Sequence, residues 1–274
     1  MRIPAAALLA ALALGPGDAA ADAEAALDDA LAREARWLDV SGQVRYGRRL
    51  LEETYAILGP DAPDPALRLA GNNLACASCH AEAGTRADAL PLSAAYAAFP
   101  AYQARSGRVE TIEDRVDDCM RRSMNGRPLP EGGPEMQAIV AYLRFLGDEA
   151  PDFERGDPPA PLPEPATPAD PTRGASLYAS DCAACHGADG AGQRVGVPGD
   201  ALGYRHPPLW GPDSFNAGAG MARPVTFATF IHGAMPPTDI PGPPRLLSAD
   251  TWDIAAFVLS HDRPAFEDVP PTAP

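Results

Sequence analysis

Apolar residues recur at helical spacing in several separate stretches of the chain and almost nowhere alternate in the manner of a strand. Over residues 134–146, Ile139, Val140, Leu143 and Leu146 make one stripe. Over 249–260, Trp252, Ala255, Ala256 and Leu259 make another. Each spacing predicts an amphipathic helix, the second capped by Ser248. Shorter helices are predicted over 47–58 and 173–180. A further helix is predicted over 109–126, with Thr111 as N-cap, Asp114 three residues on and Gly126 at its end. Its residues Ile112, Val116, Met120 and Met124 are four apart and share one apolar face. Arg115, Cys119 and Ser123 are also four apart and form a polar stripe beside it.

The helical stretches fall into two similar halves. Residues 149–172 are dense in proline, including Pro158, Pro159, Pro161, Pro163, Pro165, Pro168 and Pro171. Such a stretch reads as a semi-extended linker. Each half opens with a short helix, carries one Cys-x-x-Cys-His and closes on an amphipathic helix, which implies duplication of one module. The N-terminus has the features of an export signal over 1–21: Arg2, an apolar run from Ile3 to Leu14 and small residues at Ala19, Ala20 and Ala21. The mature chain then divides into 22–148, the linker 149–172, and 173–274.

The formal charge is -15, and every basic residue is arginine. Loss of residues 1–21 removes Arg2 and Asp18 and leaves the charge unchanged. An acidic surface argues against nucleic acid as a partner and suits a basic redox protein. The absence of lysine also removes that side chain from the possible iron ligands.

Cys76-Ala77-Ser78-Cys79-His80 and Cys182-Ala183-Ala184-Cys185-His186 are both c-type haem attachment motifs. In each, two thiols bond the porphyrin vinyl groups and the following histidine is the proximal iron ligand. The expected fold is therefore all-α, with two class I cytochrome c-like domains joined by the Pro-rich linker. A module of about 100 residues has a thin core of its own, much of it filled by the porphyrin.

Four cysteines are accounted for in this way, leaving Cys119. A leftover cysteine in an exported protein is a buried small residue, a pairing partner or a reactive thiol. Arg115, one turn before it, favours the thiolate, which is both metal ligand and nucleophile. The first half has no Met-Pro ligand loop, so Cys119 is a candidate second ligand for the first haem iron. Thiolate ligation lowers a reduction potential, which a plain electron carrier has little need of. For the second haem the candidate is Met235, followed by Pro236; Met221 is the alternative. Ala234 offers no competing donor, so His186/Met235 ligation is expected in both redox states, at a higher potential than the first haem.

The run Gly71-Asn72-Asn73-Leu74-Ala75-Cys76-Ala77-Ser78-Cys79-His80, followed by Ala83-Gly84-Thr85, resembles the first haem site of the periplasmic thiosulfate dehydrogenases. Tyr102-Gln103-Ala104-Arg105 and the segment from Arg115 to Gly126 resemble that family's substrate site. Pro207-Pro208-Leu209-Trp210-Gly211-Pro212-Asp213-Ser214-Phe215-Asn216 resembles the stretch before its second axial ligand. The resemblance spans nearly all of the mature chain and implies two covalently bound haems (iron). It also implies Cys119 as axial ligand, and Arg105 and Arg115 holding an anionic substrate near Ser123. Asp118 stands where the family commonly has a smaller neutral residue. The implied reaction joins two thiosulfates into tetrathionate, or runs in reverse. Electrons would pass to a soluble or membrane-bound redox partner, a cytochrome or iron-sulfur protein. Two rival readings are a non-catalytic dihaem electron-transfer cytochrome and the haem subunit of a multienzyme sulfur-oxidising complex.

Overall fold

The protein is described by a computed structural model covering residues 40–104, 106–148, 159–237 and 246–266. The expected export signal, Arg105 and part of the Pro-rich linker lie outside these residues. In chain order the first half contains α1 (Gly42–Glu52), α2 (Thr54–Ile57), β1 (Ala101–Gln103), β2 (Arg108–Glu110), α3 (Ile112–Arg122) and α4 (Pro134–Asp148). The second contains α5 (Pro171–Asp181), α6 (Ala183–His186), β3 (Gln193–Arg194), β4 (Tyr204–His206), α7 (Pro224–Ala234) and α8 (Ser248–Leu259). Short 3₁₀ turns lie between them, one of them at Cys76–Ser78.

The duplication read in the sequence is visible in the packing. α1 crosses α4 in the first half and α5 crosses α8 in the second. A glycine sits at each crossing. A Cβ on Gly47 would come within 2.0 Å of the Ala138 carbonyl oxygen, and one on Gly174 within 2.0 Å of the Asp253 carbonyl oxygen. Only a residue without a side chain lets the backbones approach this closely.

Several predicted elements shift. α1 begins five residues before the expected 47, capped by Ser41, whose Oγ accepts from Val44 N. In the expected helix 109–126, Val109 belongs to β2, the helix starts after Thr111, and it ends at Arg122 with Ser123 as its C-cap, short of the expected Gly126. Thr111 and Asp114 form the expected reciprocal capping box. Ser248 is the first residue of α8 rather than its cap, which is Leu247. The buried side of α8 includes Trp252 and Ala255 as predicted, but Ile254 and Val258 rather than Ala256 and Leu259. That helix is apolar on most sides, so the stripe alone does not fix the face it buries. Two antiparallel two-stranded ladders, β1–β2 and β3–β4, interrupt an otherwise helical fold.

The described part of the linker is attached to the second half. Leu162 is buried in that half's core, and its N–H donates to Thr229 Oγ1 at 2.8 Å. Trp252 Nε1 donates to the Pro163 carbonyl at 2.9 Å. Pro171 opens α5, where a missing N–H costs no hydrogen bond.

The halves meet along a polar seam. Asn72, fully buried, donates from Nδ2 to the carbonyl of Ser123 at 2.9 Å and lies 3.4 Å from that of Ser214. Asn125 Nδ2 donates to the Ser214 carbonyl at 2.6 Å, and Asn216 Nδ2 to the Arg121 carbonyl at 2.8 Å. Asp213 accepts from Asn73 N across the seam at 3.0 Å, and from Arg194 and Tyr204 of its own half. The Nδ2 groups of Asn72, Asn125 and Asn216 and the Asp213 carboxylate find partners in this way, while Asn73 Oδ1 and Asn125 Oδ1 are buried without one.

Candidate functional site

Both Cys-x-x-Cys-His motifs are built to hold a haem. All five cysteines are free thiols, so no disulfide competes for the four in the motifs. The His80 Nδ1 lies 2.6 Å from the Leu90 carbonyl, and the His186 Nδ1 lies 2.8 Å from the Pro207 carbonyl. A carbonyl can only accept, so each Nδ1 carries the proton and each Nε2 presents its lone pair. Burial holds both imidazoles below their usual pKa, which keeps them neutral as iron ligands must be. Nearby Arg115 adds to this effect at His80.

Leu90 reaches His80 at a backbone cost. Its φ is +49°, a left-handed conformation unusual for a branched side chain. Glu82 and Ala83, just after His80, are also left-handed, and Tyr142 Oη donates to the Ala83 carbonyl at 2.9 Å. Such backbone persists only where the surroundings determine it. At the other end of the motif, Thr54 Oγ1 accepts from Cys76 N at 3.0 Å and lies 3.4 Å from Cys76 Sγ. Thr54, Leu90 and Pro207 were not singled out from the sequence. Two of them act through backbone carbonyls, which leave no side-chain signature.

The helix α3 brings the predicted polar stripe to the first motif. Its apolar face, with Ile112 and Met120, is buried in the first core together with Met124 just beyond its end, while Val116 is half-buried against it. Arg115, Cys119 and Ser123 are partly exposed. Burial pushes the Cys76 thiol up to about 11, an effect countered by the Thr54 contact and reinforced by the neighbouring charge of Cys119. Burial likewise pushes Cys79 up to about 12, with Cys76 and Cys119 adding to it. Cys119 therefore lies within electrostatic reach of both attachment cysteines. Arg105 is outside the described residues, so only Arg115 of the two candidate arginines is placed.

The second haem pocket is not the property of the second half alone. A cavity of about 420 Å³ is lined by Cys182, Cys185 and His186, and also by Ser78 and Cys79 of the first motif. Ala89, from the first half, is fully buried in the second core. The two motifs thus share a wall, which differs from the expectation of two modules each enclosing its own haem. Adjacent redox centres are what transfer of electrons from one half to the other requires.

Met235 and Met221 both line this cavity. Met235 follows α7 as its C-cap and is partly exposed, whereas Met221 is buried in a 3₁₀ turn. With Met235 as ligand, Met235→Leu loses the weak long-wavelength sulfur-to-iron band of the oxidised protein and Met221→Leu keeps it. The reverse pattern assigns the ligand to Met221.

Comparison with known proteins follows the same division. Residues 68–151 match the SoxA/TsdA cytochrome c domain family, and residues 171–262 match the cytochrome c family. The chain is 42% identical over 232 residues to a thiosulfate dehydrogenase of Allochromatium vinosum, covering 81% of this chain and 78% of that one. It is 39% identical over 221 residues to a thiosulfate dehydrogenase of Stutzerimonas stutzeri, covering 80% of this chain and 69% of the other. Among solved structures, the thiosulfate dehydrogenase TsdBA from Marichromatium purpuratum, in its as-isolated form, is similar with a TM-score of 0.69 and 39% identity. The match covers 81% of this chain and 46% of that longer one.

Proposed function

The chain belongs to the thiosulfate dehydrogenase family of dihaem cytochromes c, and from that premise we propose that it oxidises two thiosulfates to tetrathionate at the first haem, in the periplasm. The observation that carries the reading is the meeting of Cys119 and Arg115, one turn apart on α3, with the His80 motif. A relay cytochrome needs neither a spare thiol nor a cation at that place.

The haems would be held covalently by Cys76 and Cys79 in the first half and by Cys182 and Cys185 in the second, and the residues that would ligate the irons are His80 with Cys119, and His186 with Met235. Each haem, when bound, accepts one electron, so the pair matches the two electrons released. The remaining chemistry falls to the side chains. Two dianions about 4 Å apart repel by roughly 4 kcal/mol even at the dielectric of water. Arg115 offsets this, since a guanidinium fork suits an oxyanion, and Arg105 is the second candidate for the task.

The Cys119 thiolate bonds the sulfane sulfur of one thiosulfate as two electrons leave, giving a Cys119–S–S–SO₃⁻ adduct. The sulfane sulfur of the second thiosulfate attacks the sulfane sulfur of that adduct, the one bonded to Cys119 Sγ. The S–S bond to Cys119 breaks, tetrathionate leaves and the thiolate is restored, as in thiol–disulfide exchange. Ser123, one turn further along the same stripe, lies beside this path. A haem bound at the second motif would supply the way out for the electrons to a redox partner, a cytochrome or iron-sulfur protein, for which the acidic surface favours a basic face.

Mixing oxidised holoprotein with thiosulfate tests the reading. The haem bands reduce, and one tetrathionate forms for every pair of haems reduced. Bands that stay oxidised with thiosulfate alone but respond once a partner protein is added point to a subunit of a larger complex. Bands that never respond leave a relay cytochrome.

A further inference from the structure

Arg115 is only useful to an anion if its long side chain is held in place, and the structure contains a clamp for it. Asp118 is largely buried, with 15% of its side chain exposed, and it sits between two guanidinium groups. Its Oδ2 accepts from Arg115 Nη1 at 3.1 Å and its Oδ1 from Arg122 Nε at 2.6 Å. Arg122 is itself fixed from the other half: its Nη1 donates to the Gly218 carbonyl at 3.3 Å, and its guanidinium lies 4.0 Å from the centroid of the Phe266 ring. A side chain on the same helix as Cys119 is thus anchored across the seam.

The spacing explains how. Arg115, Asp118 and Arg122 stand three and four residues apart, so they lie one above another along one side of α3. A pair of this kind on an open helix surface contributes little. Here the carboxylate is mostly buried, and Arg122 at 11% exposure gives it a rigid backing. Arg115, at 41% exposure, is the member open to solvent. The carboxylate occupies one terminal nitrogen of Arg115 and leaves the rest of the fork available.

We propose that Asp118 is a positioning residue for Arg115: it fixes the guanidinium beside Cys119, braced through Arg122 against the second half. The proposal rests on the reading of Arg115 as the group that holds the anionic substrate. Ordering a long side chain in advance is worth about two- to twelvefold in binding.

Removing a carboxylate from an anion site also removes a repulsion, so a single variant would mix two effects. A pair of variants separates them. Asp118→Asn and Asp118→Ala lose the same charge, but only asparagine keeps a side-chain oxygen, which can still accept from Arg115. Binding of sulfate and of thiosulfate is measured by calorimetric titration of the oxidised holoprotein. The alanine variant is expected to bind both dianions about two- to twelvefold more weakly than the asparagine variant. In an Arg115→Ala background the difference between the two disappears. Equal affinities in the two variants would reduce Asp118 to a repelling charge and overturn the proposal. A difference that survives without Arg115 would overturn it as well, by showing that Asp118 acts through the fold. Sulfate keeps the two readings apart. If the expected pattern holds with sulfate while thiosulfate leaves the haems oxidised, the functional reading fails and the positioning role stands.

Discussion

Replacing Cys119 by alanine is expected to abolish thiosulfate turnover while both haems stay covalently attached. The attachment cysteines are Cys76, Cys79, Cys182 and Cys185, so the variant leaves haem retention after acid-acetone extraction unchanged. It removes one candidate iron ligand and the only thiol outside the motifs, and with it the nucleophile for the sulfane sulfur. The fold should survive, because Cys119 is partly exposed and α3 is held by its Thr111–Asp114 capping box, by buried Ile112 and Met120, and by buried Met124 just past its end. The low-spin spectroscopic signal of one haem changes and the other does not. Stopped-flow reduction by thiosulfate is the measurement, and near-normal rates in the variant would remove Cys119 from the mechanism.

The Arg115→Ala variant should keep both haems and lose catalytic efficiency. A charge-assisted contact to an oxyanion is worth on the order of 1.5–3 kcal/mol, so kcat/KM should fall by about 10–150-fold. The loss should be felt with thiosulfate and should shrink as ionic strength rises in the wild type, since salt screens the same attraction. Arg144→Ala is the control. That arginine is exposed on α4 and paired only loosely with Asp148, at 3.4 Å, and its loss should leave the kinetics as they are. Equal kinetics in the Arg115 and Arg144 variants would mean that the anion binds elsewhere.

The parts of this site that the sequence disclosed are those whose chemistry is confined to a short stretch of chain. Cys-x-x-Cys-His places two thiols and an imidazole by local geometry, so it is legible wherever it occurs. Cys119 and Arg115 were legible as one stripe because helical periodicity relates residues four apart regardless of what packs on them. The carbonyls of Leu90 and Pro207 were not legible: they orient His80 and His186 through backbone atoms that every residue carries. The sequence offers Gly174 as part of the helix that leads into the second motif, but the reason for a glycine there and at Gly47 is visible only in what a methyl group would strike on the opposing helices. The face of α8 was misjudged because its hydrophobicity is nearly uniform around the axis. The wall shared by the two motifs depends on how the halves dock, and no periodicity within either half encodes that.

The polar seam has a consequence for the order in which the molecule comes into being. A chain is made from its N-terminus, and domains tend to fold as they emerge. Asn72, Asn73, Arg121 and Asn125 are complete long before Asp213, Ser214 and Asn216 exist. Until then the first half lacks the groups that will hold its haem-motif loop and the end of α3 in place. Residues 213–216 therefore complete the first half as well as their own. A first half made alone lacks these partners, and it is expected to unfold at a lower temperature than the same residues within the whole chain.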